Sequence, residues 1–283
     1  RFVGKLPPSQ NSIKAHVLYR RLDFDRSTDT WSKERFMEYI KLPRNAYYIN
    51  PKYLQRKEHK YHRANLNANY QSISLLPVVR NDEPLVRAYL EHFFIEEDNY
   101  KPYETWLRDT YLKQVFAETK ILNGIGDMEK WYSMLSPSAY KALKERVEIE
   151  FAPTNKKLFR SDERVQLTLR IKNVKSLIVK VYEINTFNYY RDIRRELNTD
   201  IDLDGLVPNE ETVHEYKEVA LRRVEREFAF ERLKKPGVYI VEFIGNGKSS
   251  RALIRKGRLN YLEKNTGAGH SFVILDDSNR MVK

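Results

Sequence analysis

Apolar positions in the first half of the chain recur with the period of a helix, and in the second half with the two-residue period of a strand. From Ser12 to Leu22, the residues Ile13, Val17, Leu18 and Leu22 form one stripe. Trp31 to Leu42 repeats the pattern with Phe36, Met37 and Ile40, and Pro43 stops it. Pro51 opens a short helix in a stretch that is otherwise polar and mixed. Asn81-Asp82-Glu83-Pro84 joins a capping side chain to a proline in the first turn, and predicts a helix through Val86, Tyr89, Leu90 and Phe93. Pro102 is expected to open the next helix, which carries Trp106, Leu107, Tyr111, Leu112, Val115 and Phe116 to Ile121 and ends at Asn123-Gly124. Asp127 and Ser136-Pro137 cap two more short helices, the second ending at Arg146.

After Arg146 the period changes. Val147-Glu148-Ile149-Glu150-Phe151 alternates, and Val165 to Ile171 is the clearest strand of the chain. Leu177–Ile184, Val224–Phe230, Val238–Ile244 and Ala252–Ile254 follow, most of them separated by turn residues. This is the pattern of an antiparallel sandwich, so the fold class is α+β and multidomain: a helical N-terminal half, then an Ig-like β-sandwich. The domains are read as a helical, tyrosine-rich region over 1–146, a sandwich over 147–258 with a helical and acidic insert at about 186–219, and a tail over 259–283. In the tail, Asn260 to Ala268 reads as a connector and Gly269 to Asn279 as a strand entering a turn. That strand is expected to lack partners and to begin a further, truncated module.

Three stretches carry a family resemblance. They are Phe151-Ala-Pro-Thr-Asn155, Glu163-Arg-Val-Gln-Leu-Thr-Leu-Arg-Ile-Lys-Asn-Val174 and Leu177-Ile-Val-Lys-Val-Tyr-Glu-Ile-Asn185, closed by Pro236-Gly-Val-Tyr-Ile-Val-Glu-Phe243 and Ser250-Arg-Ala-Leu-Ile-Arg255. Together they resemble a macroglobulin-type β-sandwich module (MG domain) of large alpha-macroglobulin-like proteins. The resemblance implies a modular, extracytoplasmic scaffold (secreted, periplasmic or cell-surface), with protease trapping among its uses. It also brings to mind an internal thioester between Cys and Gln, which a segment without cysteine cannot form.

Composition narrows the reading. Hydrophobic residues make up 41% and charged residues 32%, ordinary for a chain with a real core. No run approaches the ~20 apolar residues of a membrane span. The opening Arg1-Phe2-Val3-Gly4 has no signal-peptide character and suggests a processed or excised piece. Absence of cysteine excludes disulfides, thiolate metal sites and a cysteine nucleophile. The net charge of +12 suggests an anionic partner, but 25 Lys/Arg against 18 Asp/Glu in 1–146, and 26 against 21 in the rest, show no concentrated basic stripe.

The most pointed motif is Asp200-Ile-Asp202-Leu-Asp204-Gly205-Leu206-Val-Pro-Asn-Glu-Glu211, which fits the calcium loop of an EF-hand. In that reading Asp200, Asp202, Asp204 and Glu211 supply carboxylates, and Leu206 its backbone carbonyl. The entering side, with Arg195, Glu196 and Thr199 where apolar residues belong, favours an acidic surface loop that turns at Asp204-Gly205. Gly245-Asn-Gly-Lys-Ser249 hints at a phosphate loop, but Glu242 stands where the pattern needs glycine, and Asn-Gly between apolar strands predicts a hairpin turn.

Lys41 to Arg63 interleaves Lys41, Arg44, Lys52, Arg56, Lys57, Lys60 and Arg63 with Tyr47, Tyr48, Tyr53 and Tyr61. This mixture suits single-stranded nucleic acid, a protein interface, or buried tyrosines under cationic side chains; nucleic acid is the disfavoured choice. His59 and His62 are two of the ligands a zinc site needs, and no third is indicated, so both read as surface histidines. The sequence thus reads as a non-catalytic structural or protein-binding segment. Its expected partners are other modules of the same longer chain and a protein partner or protease. The rival reading is a hydrolase with its site in the helical half and the sandwich as an accessory domain.

Overall fold

Two compact units, Arg1–Lys144 and Glu145–Lys283, divide the chain in the computed structural model, which describes residues 3–267 and 269–282. Ala268, the last residue of the expected connector, lies outside the described residues, as do Arg1, Phe2 and Lys283.

The first unit contains α1 (Asn11–Ser27), α2 (Lys33–Ile40), α3 (Pro51–Leu54), α4 (Lys57–Lys60), α5 (Gln71–Ser74), α6 (Glu83–Glu96), α7 (Asp109–Asn123), α8 (Met128–Ser133) and α9 (Pro137–Glu145). Local chemistry sets many of the ends. The side chains of Ser32, Asn50 and Asp127 accept from backbone N–H groups in the first turns of α2, α3 and α8. Gly124 closes α7 at φ 63°, a left-handed cap that glycine adopts without strain. Pro102 does not open α7, contrary to expectation; it sits in a single 3-10 turn, Lys101–Tyr103. Glu104 to Trp106 turn back on Lys101 and Tyr103, and the chain then pairs with another segment, where Leu107 bridges Ile49 antiparallel. Asn50 N donates to Trp106 O at 2.9 Å, and Arg108 N donates to Tyr48 O at 2.8 Å. A tertiary pairing therefore overrides the helical pattern over Trp106–Arg108. The core joins Leu22, Phe36, Ile40, Tyr89, Leu90, Phe94, Leu112 and Phe116, all buried. Phe36 stacks on Tyr89 at 5.2 Å, and Phe94 meets Phe116 edge-on at 5.1 Å.

The second unit contains β1 (Glu148–Phe151), β2 (Leu158–Phe159), β3 (Gln166–Lys172), β4 (Ser176–Ile184), α10 (Thr186–Ile193), β5 (Glu210–Glu215), β6 (Arg223–Ala229), β7 (Gly237–Gly245), β8 (Lys248–Lys256), β9 (Asn260–Thr266) and β10 (Gly269–Leu275). One sheet has the order β1-β3-β6 and the other β2-β8-β7-β4-β5. Only the short pair β2–β8 is parallel within them. The inward residues Leu167, Leu169 and Ile171 of one sheet and Leu177, Val179, Val181, Val241, Phe243 and Ile254 of the other make one core. Phe151, Phe228 and Phe230 set their rings around Phe243 at 5.7, 5.1 and 6.4 Å. The chain is therefore α+β, a helical part followed by an antiparallel Ig-like domain. Asn246 and Gly247 turn β7 into β8 with φ of 45° and 74°, the paired left-handed geometry of a tight hairpin.

Two expectations change. Strand β5 lies inside the stretch read as a helical and acidic insert; Glu-Glu-Thr-Val-His-Glu has no apolar alternation because it is an exposed sheet edge. In the tail, the supposed connector is itself strand β9, and β10 pairs with it antiparallel from Gly269↔Thr266 to Leu275↔Asn260. The expectation of a tail strand without any partner is thus corrected: the partner precedes it in the chain. Polar residues such as Glu263, Lys264 and Asn265 hid that strand from a periodicity argument.

Candidate functional site

The Lys41–Arg63 segment separates into a buried side and an exposed one. Arg44 is wholly buried, and its Nε meets Asp82 Oδ2 at 2.6 Å. The same carboxylate accepts from Tyr39 Oη at 2.6 Å and from Tyr48 Oη at 2.5 Å. Arg44 Nη1 donates to the carbonyls of Tyr39 and Leu42, each at 3.0 Å. Burial pushes both tyrosine hydroxyls well above their ordinary pKa, and the Asp82 charge adds to this against the opposing Arg44. For Arg44 itself burial acts to lower the pKa, but Tyr48, Tyr39 and Asp82 outweigh it and hold the guanidinium charged. Arg44, Tyr48 and Tyr53 therefore serve the interior.

What remains on the surface is Lys41, Lys52, Arg56, Lys57 and Lys60, with Tyr47 and Tyr61 exposed by 66% and 78%. Lys41 lies over the Trp106 ring at 5.5 Å and Lys60 over Tyr61 at 5.4 Å. Past Tyr61 the chain runs as a strap along α1, tied to the first three turns of that helix. Asn11 Nδ2 donates to His62 O at 2.7 Å, Ser12 Oγ accepts from Asn65 N at 2.9 Å, His16 meets the Tyr70 ring at 5.3 Å, and Arg20 donates to Pro77 O. The outer side of the strap exposes Ile73 by 81% and Leu75 by 85%, the latter at φ 58°, where a branched side chain is strained. Sequence reasoning missed these two, although the apolar run Ile73-Ser-Leu-Leu-Pro-Val-Val outside any predicted element was the available signal.

The other sequence candidates are not assembled into sites. Asp200, Asp202, Asp204, Leu206 and Glu211 do not converge on a cation position, and no group of three His, Asp or Glu among the described residues is placed to hold a metal. The sheet register gives the reason. Glu211 already belongs to β5, opposite Lys180, with 3.7 Å between carboxylate and ammonium. Asp202 Oδ1 accepts from Asp204 N at 2.9 Å, and Gly205 turns at φ 78°, so the stretch is an acidic turn leading into a strand. His59 packs on the Tyr53 ring at 4.3 Å, while His62 contributes its carbonyl rather than its ring. A groove of about 710 Å³ between α1 and α2 holds Ser32, Glu34 and Glu38, and the Ser32 hydroxyl there is engaged as the cap of α2. No helix among the described residues is long and apolar enough to cross a membrane.

Comparison with known proteins adds the lineage. Residues 1–147 match the family described as the actin-binding protein F N-terminal domain, and residues 177–257 match the AbpF first immunoglobulin-like domain. A curated relative, actin-binding protein F of Dictyostelium discoideum, is 34% identical over 287 residues, covering 100% of this chain and 12% of the relative. The chain thus spans about one-eighth of that relative's length. No solved structure matches the chain significantly. These matches overturn the alpha-macroglobulin resemblance, and the MG-domain, protease-inhibitor and extracytoplasmic expectations that rested on it fall with it. Alternating strands and a Pro-Gly-Val-Tyr closing strand are general sandwich features; they identify an architecture shared by unrelated lineages. With over half its length matched from the first residue, the chain belongs to the family of actin-binding protein F N-terminal domains.

Proposed function

We propose that this chain is a non-catalytic protein-binding segment whose partner is the actin filament, and that the helical unit makes the contact. The observation that carries this reading is the family match of residues 1–147. Surface chemistry supports it. Lys52, Lys57 and Lys60 on two short helices and Arg56 between them stand in water, and Tyr47, Tyr61, Ile73 and Leu75 are large apolar side chains left exposed. Tyrosine and arginine are enriched in binding hot spots, and the lysines around them supply charge that steers association with an anionic partner. In this reading the chain works at the cytoskeleton, inside the cell.

High-speed cosedimentation of the whole chain with purified actin filaments tests it. The wild type pellets with filaments, and more weakly as salt rises. The variant Lys52→Glu/Lys57→Glu/Lys60→Glu, changed only at exposed positions, loses at least tenfold in affinity, or ~1.4 kcal/mol. A wild-type chain that stays in the supernatant at every filament concentration sinks the reading.

A further inference from the structure

The sandwich unit carries a projecting apolar ridge and an open groove that nothing among its described residues fills. The ridge is α10, in the long connection from β4 to β5. None of its residues is buried, and Phe187, Tyr190 and Ile193 are exposed by 75%, 56% and 46%. Their spacing of three places them along one face. An eight-residue helix is marginal in water by itself, so an uncovered apolar face of aromatic residues on it asks for a partner. Its base is nonetheless built. Leu197 and Leu203 are buried, Leu203 against Tyr182 and Ile240 of the sheet. Arg251 Nη1 donates to Ile201 O at 2.9 Å, and Arg255 Nη2 donates to Glu196 Oε1 at 2.7 Å. Arg194 and Arg195 follow the ridge directly and give its end a positive charge.

The groove lies where both sheets end, between edge strands β5 and β6, with a volume of about 410 Å³. Val179, Val181 and Phe228, all core residues, reach its floor, and Glu210, Glu225 and Glu227 line its rim. Most rim charges are already paired: Glu218 binds the Arg226 guanidinium, which rests 3.9 Å from the Tyr216 ring centroid, Arg170 meets Glu225 at 3.2 Å and Arg232 stands 3.9 Å from Glu210. Among the described residues this leaves the exposed Glu227 carboxylate as the free rim charge. An aromatic ridge ending in Arg194 and Arg195 complements an apolar floor edged by the Glu227 carboxylate, in shape class and in sign.

We propose that the occupant of the groove is α10 of a second copy of this chain, so that the sandwich unit self-associates. Two aromatic anchors with an ionic rim make a small interface, and the association is correspondingly weak and reversible. The proposal does not depend on actin binding, and its test uses none.

Sedimentation equilibrium of the full chain reads it. The weight-average mass rises above the monomer's 33.8 kDa between about 1 and 300 µM, the range of a weak interface. Phe187→Ala/Tyr190→Ala/Ile193→Ala removes the ridge, and Thr212→Lys/Glu227→Lys reverses the rim. All five positions are exposed, so both variants keep the fold, which circular dichroism checks. Each variant alone self-associates at least tenfold more weakly than wild type. An equimolar mixture of the two recovers a complex, because one supplies an intact groove and the other an intact ridge. A wild type that remains monomeric throughout overturns the proposal, as do variants that associate normally or a mixture that stays monomeric.

Discussion

The two units solve long-range order by different means. In the sandwich, backbone ladders tie distant residues, as where β7 registers Phe243 with Val179 of β4 and Ser250 of β8, and the central core needs only apolar side chains. Its buried charges find partners close by: Lys172, at the end of β3, donates to Arg146 O at 2.6 Å, and Glu242 accepts from its cross-strand neighbour Arg251 at 2.7 Å. Across the irregular path from Leu42 to Asn81 the helical unit has isolated backbone bridges, Arg44 to Ala64 and Ile49 to Leu107, in place of ladders. There a buried ion pair, Arg44–Asp82, ties that segment to α2 and the start of α6, with Tyr39 and Tyr48 on the same carboxylate. Where the backbone joins distant segments at single points, side chains must do the rest, and a buried polar network is exacting because every member depends on the others.

Removing one member of that network is therefore expected to give the largest effect. Asp82→Ala strands a fully buried guanidinium and two tyrosine hydroxyls, and should cost the helical unit about 3–5 kcal/mol. Hydrogen exchange followed separately over 1–144 and 145–283 checks this, since protection should fall in the first unit and hold in the second. Equal loss in both units would break the contrast. In the sandwich, Leu177→Ala deletes a side chain with no exposed area and should cost about 2–4 kcal/mol by leaving a cavity. Chemical denaturation followed by Tyr and Phe packing signals reads it, and a Leu177→Met variant, which keeps the volume, should lose less than about 1.5 kcal/mol.

The smallest effect sharpens the comparison through pH. His16 and His59, both in the helical unit, have pKa values lowered from the ordinary 6.5, first by burial and then by nearby arginines, with Glu58 opposing at His59. The fold therefore favours their neutral forms. Their contribution is complete above the unfolded value near 6.5 and is lost as pH falls through it toward the lowered folded values. The urea midpoint of the helical unit should drop between pH 7.5 and 5.5, and a His16→Gln/His59→Gln variant should flatten that drop. An unchanged midpoint in the wild type would refute the assignment.

Much of the architecture was legible. Period-3.6 stripes marked α1, α2 and α6, alternation marked β1, β3, β4, β6 and β7, and Asn246-Gly247 read correctly as a hairpin rather than a phosphate loop. The misreadings share one cause. Residues 106–108, β5 and β9 take their conformation from partners far away in sequence, so their own pattern is uninformative or points elsewhere. The candidate surface was half visible. Composition flagged the cations and tyrosines of 41–63, but nothing local told that Arg44, Tyr48 and Tyr53 turn inward while Tyr47 and Tyr61 turn out.

By itself the sequence determined the fold class, the positions of the strongly periodic elements and the caps that end them, because these depend on side-chain period and local hydrogen bonding. Only the tertiary structure reveals which charges are buried, that the acidic stretch at 200–211 runs into an edge strand, and that α10 keeps its apolar ridge in solvent. Each of these is settled by which distant backbone or carboxylate a residue meets, and one-dimensional spacing does not encode that meeting.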